Sequence, residues 1–127
     1  MLDRAHADRA VWLVARVAYL RDEELNTEVL VLEDEGSIDR IEIQRALTFD
    51  SQDVAQGMDT YCLVRGGAAH YGGIVRWVVH SNELALELDD AVASTLDLPI
   101  ALSIPIDDPG AELLRQHLSR LCRVPRS

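Results

Sequence analysis

The side chains with most chemistry to offer here are four histidines, two cysteines and a group of aspartates, and their spacing limits what they can do. A protein metal centre needs several such ligands converging on one point. His6, His70, His80 and His117 are far apart and fall on different segments. Asp50, Asp53 and Asp59 stand closer, in DSQDVAQGMD, as oxygen ligands of a cation loop would. The fixed glycine and terminal glutamate of a calcium loop are missing, so neither metal nor cofactor is expected. The pairs Gly66-Gly67 and Gly72-Gly73 fit neither GxGxxG nor GxxxxGK(S/T), and read as turn chemistry. No GxSxG is present. Cys62 can be paired on paper with His70 or His80 as nucleophile and base, yet within TYCLV it reads as a small core residue. These residues assemble no catalytic constellation, and a protein that is not an enzyme is expected.

What remains is recognition chemistry. Tyr61, Tyr71 and Trp77 are the aromatic residues that could anchor a partner, or equally pack in the core. Tyr71 stands beside two glycines that leave it uncrowded, and is the candidate for exposure. The polar candidates are the acidic cluster Glu33, Asp34 and Glu35, and the group Asp50, Gln52, Asp53 and Asp59. The chain carries twelve basic residues, all arginine, against twenty-two acidic ones, a formal net charge of −10. Phosphate neutralisation needs a basic stripe, and the arginines cluster only loosely at Arg115, Arg120, Arg123 and Arg126. Nucleic acid and anionic membranes are therefore not expected partners; the charge suits solubility or a basic protein partner.

These residues must be positioned by the segments around them. The 127 residues read as a single domain, 1–127, with enough aliphatic volume for a core without disulfides. Ala10 to Leu20 reads as a first strand, too short and too interrupted by Arg16 to span a membrane. Glu28 to Glu33 is a second strand, and EDEGS turns the chain into IDRIEIQRALTF, where Ile41, Ile43 and Leu47 share a face. Ten residues, Asp50 to Asp59, acidic and amide-rich, follow before TYCLVRG, far more than a hairpin of about two to five needs. Gly66 to Ala69 turns into one strand, HYGGIVRWVVHS, whose Gly72-Gly73 marks a bulge or a close backbone approach. Ser81 to Glu83 turns into LALEL. Asp89 or Asp90 caps a short helix ending near Leu98-Pro99, IALSIPI is a strand, and Asp108-Pro109 opens a terminal helix carrying Ala111, Leu114, Leu118, Leu121 and Cys122 at helical spacing. The expected fold is α+β, a mainly antiparallel meander with a short helix and a C-terminal helix packed on the sheet. Cys62 and Cys122 read as buried, reduced thiols, with no secretory signal to favour a disulfide.

QRALTFDSQDVAQGMDTYC, the following HYGGIV, the run NELALELDDAVASTLDL and the terminal helix together resemble the Immunity protein 10 family of bacterial polymorphic toxin systems. The likeness runs from about Ala10 to Leu121. Its most specific parts are the QR…FDxQDxxxGMDTYC block, Gln44 to Cys62, and the YGG at Tyr71 to Gly73. The resemblance implies a cytoplasmic binding module that protects its producer by neutralising a cognate protein toxin. It also implies that Asp50 to Asp59 is an ordered loop, with Gln52 and Asp53 bonding to nearby backbone. Two alternatives stand beside it: an interaction protein that homodimerises through a sheet edge, and a small-molecule binder using the concavity between sheet and C-terminal helix.

Overall fold

Leu30 and Leu32 alternate with Val29, Val31 and Glu33 in β2 (Thr27–Asp34), and Ile41 and Ile43 alternate with Glu42 and Gln44 in β3 (Arg40–Ala46). Period-two alternation gives a sheet one apolar face. With β1 (Ala15–Asp22), β4 (Cys62–Arg65) and β5 (Ala68–Tyr71), these strands form a five-stranded antiparallel sheet in the order β1-β2-β3-β4-β5. A second antiparallel sheet holds β6 (Ile74–His80), β7 (Glu83–Leu88) and β8 (Ala101–Pro105). Three helices accompany them: α1 (Ser51–Ala55), α2 (Asp90–Leu96) and α3 (Asp108–Leu121). The computed structural model describes residues 12–122, so Ala10, His6, Arg123 and Arg126 lie outside the described residues.

The α+β meander with a terminal helix is thus present, with one correction to the reading of its strands. HYGGIVRWVVHS is not one strand: it breaks at Gly72-Gly73, and its two parts belong to different sheets. The reason is steric as well as conformational. Gly73 has φ 105°, and a Cβ placed on it would lie 2.6 Å from Val92 Cβ of α2. The backbone passes against that helix, and only glycine fits. Gly73 O accepts from Asp89 N at 2.9 Å, and the Ile74 N–H donates to the Tyr61 hydroxyl at 2.8 Å, so the crossing is bonded on both sides.

The core lies between the two sheets and the helices. Ala111, Leu114, Leu118 and Leu121 recur at helical spacing and are at most 2% exposed, which seats α3 on the inner face of the five-stranded sheet. Leu84, Leu86, Leu88, Leu102 and Ile104 bring in the second sheet, and Val92, Ala93 and Leu96 bring in α2. The cap of α3 falls one residue earlier than expected: Asp107, not Asp108, accepts from the Gly110 N–H at 2.7 Å, with Pro109 in the first turn. For α2 the cap is Asp89, accepting from Val92 N at 2.9 Å.

One buried charge joins α3 to the sheet. Glu28, 5% exposed, accepts from the Tyr19 hydroxyl at 2.6 Å and from Arg120 of α3, while His117 stacks on Tyr19 with ring centroids 3.7 Å apart. Burial pushes the Glu28 carboxyl up, but the Tyr19 hydroxyl and Arg120 outweigh it and hold the group below its ordinary 4.5. Burial, and then the Arg120 cation, push the His117 imidazole below its ordinary 6.5, with Glu28 opposing.

Two predictions follow from the crossing and the buried charge. Gly73→Ala meets both the Val92 overlap and a left-handed backbone, and should lower urea-measured stability by about 2 kcal/mol or more. Gly72→Ala, with φ 70° but nothing within 4 Å of the added Cβ, should cost about 1 kcal/mol. Equal losses for the two would refute the close approach. Both shifted groups are depressed, so each stabilises the fold above its ordinary value and loses that contribution as pH falls. Urea stability should therefore decline in two stages, the first starting near the 6.5 of His117 and the second below the 4.5 of Glu28. His117→Phe, which keeps the stacked ring, should remove only the first stage.

Candidate partner-binding surface

The polar stretch between β3 and β4 contains a helix that the sequence reading took for loop. Its α1 is only five residues long, yet it is closed at both ends. Asp50 Oδ1 accepts from the Asp53 N–H at 2.8 Å, and Asp53 Oδ2 accepts from the Asp50 N–H at 3.0 Å, a reciprocal capping box. At the other end Gly57, with φ 71°, donates to Val54 O at 3.2 Å, and Met58 donates to Asp53 O at 2.8 Å, the paired bonds of a Schellman ending. The stretch is anchored at its root by Asn26, whose side chain donates to Thr48 O and accepts from Thr48 N. Asp50 and Asp53 thus shape this segment. Gln52 contributes its backbone carbonyl, accepting from Gln56, and its side chain is exposed, as is Asp59.

This arm borders the outer face of the five-stranded sheet, the face turned away from α3. Strand register places Leu20, Val29, Gln44, Cys62 and Tyr71 in one rung across all five strands. Leu20 is 59% and Tyr71 44% exposed, with the three between them half-buried. Gln44, the polar member, donates its side-chain amide to Glu42 at 2.7 Å. Between the rung and the arm lies an open concavity of about 310 Å³, lined by Gln44, Cys62 and Tyr71 of the sheet, Asp53, Met58 and Thr60 of the arm, and Leu25 of the β1–β2 turn. Of the residues singled out from sequence, the structure brings Asp53 and Tyr71 together here, with Asp50, Gln52 and Asp59 on the same arm.

Glu33, Asp34 and Glu35 do not join them. Glu33 pairs with Arg40 at one end of the β2–β3 ladder and Thr27 with Ala46 at the other, about 20 Å apart at a rise of about 3.3 Å per residue. Glu33 lies 3.4 Å from Arg40, and Glu35 lies 4.0 Å from Arg16. Asp34 is buried, and accepts from the Leu13 and Gly36 N–H groups and the Ser37 hydroxyl, at 2.9, 3.2 and 2.7 Å. Burial works to raise its pKa, but those three donors prevail and keep it below the usual carboxylate range. Its work is to hold a turn.

The acidic residues that do flank the rung were read from sequence only as a polar turn. Asp22, Glu23 and Glu24 join β1 to β2 at the same end of the sheet as Asp50, Asp53 and Asp59. Arg21, the nearest cation on that turn, lies 3.4 Å from Glu23, and Arg45 donates to Leu121 O while its guanidinium covers Phe49. A larger open groove of about 800 Å³ runs past Ile38, Arg65 and Asp97, and its two arginines are paired: Arg40 lies 2.8 Å from Glu42 and Arg65 lies 2.9 Å from Asp39.

Other candidates are placed as follows. Tyr61 is core, 3% exposed, and burial pushes its hydroxyl up to about 12. Trp77 packs partly buried against the core. Cys122 is buried, its thiol pushed up to about 12 by burial, whereas Cys62 is only half-buried, its thiol also raised by burial. The expectation that both thiols are buried fails for Cys62, because its side chain points to the outer face. The sheet–helix interface offered to a small molecule is filled by Leu114, Leu118 and Leu121, each 0% exposed. Among the described residues there is no group of three or more His, Cys, Asp or Glu able to hold a metal ion, and no helix long and apolar enough to cross a membrane.

The chain is thus an antiparallel α+β fold whose five-stranded sheet has one face exposed beside a capped arm. Residues 14–113 match the model of a family described as Immunity protein 10. The chain belongs to the Immunity protein 10 family. No match to a curated protein or to a solved structure was found.

The geometry of the arm makes its own prediction. Asp50→Ala removes the N-cap acceptor and Asp53→Ala the reciprocal one; each should cost about 1 kcal/mol locally and expose Phe49 to Met58 to proteolysis, with little change in global urea stability. Limited proteolysis with mapped cleavage sites measures this, and unchanged cleavage in both variants would remove the capping box from the explanation of the arm.

Proposed function

We propose that this chain binds and neutralises a cognate bacterial polymorphic toxin, acting in the cytoplasm of the cell it protects, as a binding module without catalysis. The observation that carries the reading is family membership over residues 14–113. An immunity role follows from the family in general; the toxin partner, and its engagement through an acidic surface of this chain, are the finer part of the proposal. The net charge of −10 supports a basic partner, because opposite charge steers encounter and disfavours acidic competitors. Neutralisation then consists of covering the toxin rather than modifying it.

The test is co-expression with a candidate toxin domain taken from a reading frame adjacent to the one that encodes this chain, followed by measurement of the complex. Cells making both should survive where cells making the toxin alone do not, and the pair should copurify. Association should slow as ionic strength rises, since exposed charges separated by more than about 8 Å are screened at physiological salt. Toxicity undiminished by this chain, with no complex between the purified proteins, overturns the proposal. A stable self-dimer that binds no toxin would instead support the homodimeric alternative.

A further inference from the structure

Resting on that reading, we infer that the toxin docks on the outer face of the five-stranded sheet, at the end framed by the α1 arm, and presents an apolar side chain flanked by arginine or lysine. The fold leaves apolar surface exposed at this end of the sheet. Leu20 and Tyr71 close the two ends of the cross-strand rung, while Leu25 at 72% and Val54 at 57% exposure stand on the turn and arm beside it. Isolated exposed leucines are ordinary, but here Leu25 and Tyr71 line one concavity, with Leu20 at the far end of the rung and Val54 on the arm, and exposed apolar side chains gathered at one end of a sheet mark an interaction site.

Six carboxylates stand at this end of the sheet, three at the β1–β2 turn and three on the arm: Glu23 is paired with Arg21, Asp22 accepts from the Leu25 N–H, and Asp50 and Asp53 cap α1. At the opposite end of the same sheet Arg16, Glu33, Glu35, Arg40 and Glu42 answer one another across the strands. One end of the sheet therefore has its carboxylates shared between arginines, and at the other, among the described residues, most carboxylates have no ion-pair partner. An apolar centre inside an acidic rim is complementary to an apolar anchor inside a basic rim. The concavity beside Cys62 is mostly polar in its lining, so the flanking cation enters it beside Asp53 while the apolar anchor packs on Tyr71 and Leu25 at its border.

The arm is capped at both ends and tied to Asn26 at its root, so the concavity exists before the partner arrives and little ordering accompanies binding.

The experiment uses the full chain and the purified, catalytically disabled toxin domain identified by the co-expression test. Tyr71→Ala should weaken binding about 30-fold or more, mostly through faster dissociation, as truncation of a hot spot does. Glu24→Arg with Asp59→Arg should slow association about tenfold at low salt and flatten its salt dependence, leaving dissociation nearly unchanged. Val78→Arg, on the outer face of the second sheet, should bind as wild type. Alkylation of Cys62 by iodoacetamide should be slowed in the complex, while the urea midpoints of all three variants match wild type. If wild type binds but Tyr71→Ala and the double reversal bind equally well, with Cys62 unprotected, the toxin docks elsewhere and the inference is overturned, most directly if Val78→Arg abolishes binding. If wild type itself fails to bind, the toxin reading fails, and this inference with it.

Discussion

The Arg65 guanidinium holds together parts of the chain that are remote in sequence, and much of the architecture depends on it. Its Nε and one Nη donate to Asp39 at 3.0 and 2.9 Å, and its other Nη donates to the carbonyls of Leu96 and Asp97 at 2.8 and 2.7 Å. Asp39 in turn accepts from the Trp12 indole at 2.9 Å. The Arg65 bonds, burial opposing, keep the Asp39 carboxyl below the usual range. A planar fork of donors can serve a carboxylate and a helix end at once, which a lysine cannot do. Fixing the last carbonyls of α2 fixes the helix, and the helix places Val92 against Gly73. Where Gly73 must pass determines where β5 ends, and so where Tyr71 stands. A surface tyrosine is thereby positioned from the far side of the sheet.

Much of this was legible in the sequence, and the misses have physical causes. Alternation in IEIQ and heptad-like spacing in α3 reported their own elements, because each reflects one face against one core. The helix α1 escaped notice because five residues show no amphipathic period, and none of them is buried. Its signals were the caps alone: aspartates three apart, then a glycine. The break at Gly72-Gly73 was visible as a close backbone approach, but that it separates two sheets depends on Val92, nineteen residues away in sequence. No local pattern contains that information.

Site residues were harder to read, since exposure and charge balance are tertiary quantities. EDEGS and RDEELN look alike as acidic turns. In the fold, Asp34 of the first accepts from the backbone N–H groups of Leu13 and Gly36 while its glutamates face Arg16 and Arg40, and the second stands at the end of the sheet occupied by the arm. Likewise Tyr61 and Tyr71 are both adjacent to strand residues of mixed character, yet one bonds the Ile74 amide inside the core and the other lies at the rim. Strand register separates them, because Cys62 pairs with Tyr71 and so puts both on the outer face, while Tyr61 points inward.

The two ends of the five-stranded sheet differ in what their charges are worth. Exposed ion pairs such as Arg40 with Glu33 contribute about 0–1 kcal/mol each, so the matched end is close to neutral for folding and offers a cationic partner little. Like charges gathered without counterparts repel one another in the isolated protein and weaken the compact state slightly. That repulsion is relieved when a cation approaches, so it favours the complex over the free chain without adding a contact. Relief of this kind acts mainly on encounter rate, whereas burial of an aromatic side chain acts on residence time. A surface with unmatched carboxylates around an apolar rung therefore separates the two: the rim governs how often a partner arrives, and the rung governs how long it stays.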